Sequence, residues 1–100
     1  MKKNLSRADI IDFLRTDKAY LSKEFGVVNI GLFGSYAKGS QNADSDVDIL
    51  VELKEPRFEW LAGLSIYLEE KLGRRVELIR KSSLLRSRFF ERVEKDAIYA

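Results

Sequence analysis

The segment DVDILVEL, residues 46–53, restricts the fold more than any other stretch of the chain. Side chains alternate faces along a strand. Val47, Ile49, Val51 and Leu53 therefore form one face, which helices are expected to cover, and Asp46 and Asp48 stand on the other. Two residues of strand separate their Cβ atoms by about 6.5–7 Å. Two carboxylates at that distance repel by roughly 2–3 kcal/mol at an effective dielectric near 20, and by well under about 1 kcal/mol in open water. The pair costs little in solvent and much in a cleft, and a divalent cation between the two reverses the sign. Magnesium suits such a seat, as a hard ion held by one or two carboxylates together with the phosphate oxygens of a substrate.

The flanking sequence supplies the covering layers. Ser6 precedes RADIIDFL with Asp9 three residues on, a capping-box pattern, and Ile10, Phe13 and Leu14 recur at helical spacing. Thr16 is placed to cap a second helical piece carrying Ala19, Tyr20 and Phe25, which Gly26 closes. VVNIGLF (27–33) reads as a strand, GSYAKG as a turn or short helix and SQNADS as a loop. Pro56 stands where a helix over 57–72 would begin. Phe58, Leu61, Ser65, Leu68 and Leu72 share the inward face of that helix, flanked by Trp60, Leu64 and Tyr67, and Gly73 ends it. RRVELIR (74–80) is a further strand. Ser82 or Ser83 caps a last helix to about Lys95, with Leu85, Phe89 and Val93 inward. The order α, β, β, α, β, α predicts an α/β domain: a small mixed sheet of three to four strands with helices packed on it. Its second and third strands are expected to run parallel through a helical crossover. One hundred residues make one domain, 1–100.

Composition removes most catalytic chemistries. The chain has no cysteine, which excludes disulfide scaffolds and thiolate metal sites. It has no histidine, which excludes His-based triads and His-ligated metals. Carboxylates, Lys, Arg, Tyr, Ser or an oxygen-ligated hard metal remain. No apolar run approaches the length of a membrane span, about 20 residues, and MKKNLSRADI lacks the apolar core of a secretory signal. The expected location is the cytoplasm. Between Lys71 and Lys95, nine Lys/Arg against three Glu give +6, which leaves the rest of the chain at −4. Such a run is either a solvated face or a surface for phosphate, nucleic acid or an acidic partner.

Upstream of the aspartates lies a complementary feature. Gly34 ends the first strand where the backbone must bend and admit a ligand closely, and Ser35 adds a small hydroxyl. Backbone N–H groups at such a strand-to-helix turn favour an anion, and Lys38 follows one helical turn on. The order Lys38-Gly39 does not fit the P-loop pattern. Taken singly, the Gly-Ser turn and the D-x-D pair are weak signals. Together, with ten residues between them and an apolar strand following, they are a stronger signal.

At this spacing GSYAKGSQNADSDVD resembles the nucleotidyltransferase signature of the DNA polymerase β superfamily. The segments LFGSYAKG, SDVDILVEL, EEKLGRRVELI and ERVEKDAIYA extend the resemblance, from Val27 onward, to the minimal nucleotidyltransferases. The resemblance implies a palm-like fold and magnesium-dependent transfer of AMP from ATP, with two ions. It implies a partner too, a HEPN-domain toxin whose tyrosine would be the acceptor, which makes this chain the antitoxin. It further implies a third carboxylate on a neighbouring strand. Glu77 stands there, where the commoner residue is Asp, and it shares a face with Ile79 opposite Val76 and Leu78. In this scheme Asp46, Asp48 and Glu77 are the catalytic and metal-binding set, and Gly34, Ser35 and Lys38 bind the nucleotide. Glu77 has a plainer alternative as a strand glutamate paired with Arg75 or Arg80. Trp60 and Tyr67 are either an apolar docking patch or partly buried core aromatics. Two other functional classes stay open: a partner-binding antitoxin that neutralises by contact, and a nucleic-acid-binding domain using the basic region.

Overall fold

The computed structural model describes residues 5–81, 91 and 95–100. The elements in chain order are α1 (Arg7–Thr16), α2 (Lys18–Phe25), β1 (Val27–Phe33), α3 (Gly34–Lys38), β2 (Val47–Leu53), α4 (Phe58–Leu72), β3 (Val76–Arg80) and β4 (Ile98–Tyr99). They form the expected α/β arrangement, a four-stranded mixed sheet in the order β3-β2-β1-β4. β2 pairs antiparallel with β1 and parallel with β3, and β4 adds an antiparallel edge to β1. No helix among the described residues is long and apolar enough to cross a membrane.

The sequence signals for the helices operate as expected, with two exceptions. Ser6 and Asp9 close the capping box of α1. Gly26 and Gly73 end α2 and α4 in the left-handed region, at φ 63° and 65°, where glycine alone escapes a Cβ penalty. Thr16 does not cap α2. It ends α1, with its hydroxyl donating 2.8 Å to the Asp12 carbonyl, and Asp17 stands at the junction. Phe58 is not inward either. It begins α4 at 79% exposure, and Leu64, Leu68 and Leu72 are the buried residues of that helix. Phe58 is the first residue of α4. Of the expected last helix, Glu91, Lys95 and Asp96 are helical. Ser82, Ser83, Leu85, Phe89 and Val93 lie outside the described residues.

One core joins helices and sheet. Ile10, Leu14 and Leu21 meet Ile30, Leu32, Val47, Ile49, Val51, Leu64 and Leu68, all at most 1% exposed. Each such aliphatic stabilises by about 1.5–3 kcal/mol on burial. A bulge between Val27 and Asn29 lets Val27 share this face with Ile30 and Leu32 despite the uneven spacing, and turns Val28 to solvent. The opposite face is not wholly polar. Phe33 and Leu50 are buried there against Ile79 and Ala97, which places Asp48 beside an apolar floor.

Two aromatic residues of α4, Tyr67 and Trp60, are occupied within the fold. Tyr67 packs with Phe13, Tyr20 and Phe25, and its hydroxyl donates to Asp17, which pushes its pKa up to about 12. Trp60 lies over Gly26, with the Arg57 guanidinium 4.8 Å from its ring.

Candidate functional site

Asp48 lies in β2 with β1 on one side and β3 on the other. Its neighbour across the antiparallel pair is Phe33, the last residue of β1, and its neighbour across the parallel pair is Glu77. The topology alone therefore brings the chain's D-x-D segment, the Gly-Ser turn that follows Phe33 and the β3 glutamate to one end of the sheet.

Side-chain geometry tightens this grouping. The Glu77 carboxyl group is near enough to Asp48 to act on its ionisation. Asp48 is half-buried and its pKa is pushed up to about 6. Burial is the largest cause, followed by the nearby Glu77 carboxyl group and the Asp46 charge. Both neighbouring acids thus act on Asp48, and the cluster is short of positive charge. Glu77 itself is exposed and has no ion-pair partner among the described residues, which weighs against a paired surface glutamate.

Gly34 completes the contact. It has φ 73°, and a Cβ built on it would collide with the Asp48 carboxylate at Oδ2. The turn into α3 therefore runs directly over the acid. Ser35 follows half-buried, and Lys38 stands exposed in the last turn of α3. The described contacts tie Gly34 to Asp48 and leave Lys38 in solvent.

Asp46 lies one residue before β2, at the end of the loop from Gly39. A local turn shapes that loop. The Asn42 N–H donates 2.9 Å to the Ser45 hydroxyl, and the Asp44 N–H donates 2.8 Å to the Asn42 side-chain carbonyl. The Val47 N–H donates 2.9 Å to the Arg75 carbonyl and so starts the β2–β3 pairing. The Glu69 carboxylate accepts from the Val76 N–H at 2.9 Å and fixes the start of β3 to α4. Two residues that the sequence reading did not single out also act on this segment. Arg7 donates to the Ala37 carbonyl at 2.8 Å, and Arg74 to the Ala43 carbonyl at 3.1 Å. Nothing local in the sequence marks them, since both bonds join residues about thirty positions apart.

The donor set is entirely carboxylate oxygen, as a hard divalent ion requires. Among the described residues no three His, Cys, Asp or Glu side chains form a ready cage.

Comparison with known proteins places this arrangement. The model of the family described as "Nucleotidyltransferase domain" matches residues 14–100. The protein adenylyltransferase MntA of Thermococcus cleftensis is 43% identical over 96 residues, covering 95% of this chain and 96% of the relative. A solved structure described as a candidate minimal nucleotidyltransferase superposes with a TM-score of 0.79 at 32% identity, covering 97% of this chain and 98% of the other. A toxin–antitoxin structure with AMP-PNP superposes with a TM-score of 0.67 at 26% identity, covering 95% of this chain and 72% of the other. The chain belongs to the nucleotidyltransferase domain family.

Proposed function

We propose that this enzyme transfers AMP from ATP to a tyrosine hydroxyl of a partner toxin of the HEPN type, and thereby acts as its antitoxin in the cytoplasm. The observation that carries the reading is the convergence of Gly34, Asp48 and Glu77 at one sheet end, with Asp46 close enough to raise the Asp48 pKa. The adenylyltransferase relative and the toxin–antitoxin neighbour with AMP-PNP support the choice of nucleotide and partner. The reading takes residues 1–100 as one domain, with the acceptor supplied by a partner protein.

In this reading the acceptor oxygen forms a bond to the α-phosphorus, and the bond from that phosphorus to the bridging oxygen breaks. Pyrophosphate leaves. Glu77, exposed and adjoining Asp48, takes or orients the hydroxyl proton. Gly34 and Ser35 present backbone N–H groups and a hydroxyl to the β- and γ-phosphates, and Lys38 offsets their charge. Asp46 and Asp48, with Glu77 beside them, would hold magnesium. When bound, one or two such ions neutralise triphosphate charge and make the hydroxyl easier to ionise.

Intact-mass analysis tests the reading. The partner incubated with this protein, ATP and magnesium should gain the mass of AMP, and peptide mapping should place it on tyrosine. Full neutralisation of the partner without ATP, and without a mass gain when ATP is present, would favour contact alone.

A further inference from the structure

We infer that Arg7 and Arg74 are positioning residues that hold the two ends of the segment between the phosphate turn and the metal seat. The inference rests on the proposed reading of the site and adds two residues to it.

Asp46 is outside the β2 ladder, so strand pairing alone does not place it. The turn of Asn42, Asp44 and Ser45 gives the loop its shape, but those bonds are internal to it. Among the described residues, the side-chain bond that fastens the loop to the rest of the fold is that of Arg74, whose Nη1 donates to the Ala43 carbonyl at 3.1 Å. Arg74 sits two residues before β3, the strand that carries Glu77. The same short segment therefore fixes Glu77 through the ladder and Asp46 through the guanidinium.

The other end has the same device. α3 has five residues, too few to be stable alone; its Ser35 and Tyr36 carbonyls accept from the Gly39 and Ser40 N–H groups, whereas that of Ala37 is met by a side chain. Arg7 Nη1 donates to the Ala37 carbonyl at 2.8 Å and ties α3 to the first turn of α1. Charge-assisted bonds of this kind are directional. Arg7 thus steadies the helix that begins at Gly34 and Ser35, and Arg74 steadies the loop that ends at Asp46. Loss of Arg7 is expected to fall on nucleotide binding, and loss of Arg74 on metal binding.

The test uses Mn2+ as a probe. Its dissociation constant for the full chain is read by electron paramagnetic resonance, with KM for ATP and kcat measured alongside. Arg74→Met keeps the aliphatic stem and removes the donors. It is expected to raise the Mn2+ dissociation constant about fivefold, one hydrogen bond's worth, with ATP KM little changed. Arg74→Lys, which keeps a donor, should recover most of the loss. Arg7→Met should do the reverse and raise ATP KM about fivefold with Mn2+ affinity retained. Wild-type affinity in both Arg74 variants, equal loss in both, or a loss confined to Lys would overturn the inference. If Arg74→Met does not fold, Arg74→Gln replaces it in the comparison with Lys. A wild-type protein that binds Mn2+ but transfers no AMP would count against the functional reading instead.

Discussion

Gly34 and Asp48 are packed so closely that no side chain fits between them: a Cβ on Gly34 would overlap the carboxylate at Oδ2. The backbone of the Gly-Ser turn is therefore in contact with the acid that the proposed reaction needs most.

Gly34→Ala is expected to cost stability and activity together. The left-handed φ of 73° penalises any Cβ by about 1–2 kcal/mol, and relief of the overlap displaces Asp48. A denaturant melt should show a loss of at least that size, and transfer should be undetectable. Gly39→Ala is the control, because a Cβ there meets nothing within 4 Å. It should carry the backbone strain and keep activity.

Asp48→Asn should separate function from stability. The native site raises the Asp48 pKa to about 6, chiefly through burial and Glu77. At pH 8 the ionised carboxylate therefore opposes folding when no cation is present. Asn removes the charge and can donate to Glu77. The variant should be inactive and more stable by about 1 kcal/mol, allowing for solvent at a half-buried side chain. For a domain of this size that is about 4–8 °C in Tm. Calorimetry without divalent cations reads it directly.

The same shift sets a pH dependence. An unfolded Asp titrates near 3.8 and the native one near 6, so between those values the native state holds the extra proton. Its stabilising contribution is complete below about 3.8 and is lost as pH rises through about 6. Urea midpoints at pH 4.5 and 7.5, compared between wild type and Asp48→Asn, should differ in that direction, and the wild type should fall further. Transfer activity should move the other way, increasing as Asp48 loses its proton.

Glu77→Gln probes the third carboxylate. Removing its charge takes away one cause that raises the Asp48 pKa, and the Gln amide can donate to the ionised carboxylate, so the acid limb of the pH–rate profile should shift to lower pH. If Glu77 handles the acceptor proton, kcat should also fall by about 100-fold or more. An unshifted profile with near wild-type kcat would return Glu77 to an ordinary surface role.

The strands and the carboxylates were legible in the sequence because each rests on local pattern. β1 and most of β2 follow from apolar runs and alternation, and the Glu77 register follows from Val76 and Leu78 on either side. Long-range relations were not legible. The two-residue β4 is too short to carry a pattern and exists because β1 offers it an open edge. The burial of Leu50 on the carboxylate face depends on Phe33 and Ile79 from neighbouring strands. Phe58 looked inward by periodicity, yet it opens α4 exposed to solvent. The ties from Arg7 and Arg74 cross about thirty residues of chain, and composition registered those arginines only as charge.

The central claim is that Asp46 and Asp48 serve transfer of the α-phosphoryl group with its nucleoside. The partner incubated with magnesium and either α-labelled or γ-labelled ATP tests it most directly. The account predicts α-label on the partner with wild-type protein, none with Asp46→Asn or Asp48→Asn, and no γ-label in any case. Transfer of γ-label, or α-label surviving in both variants, would contradict it.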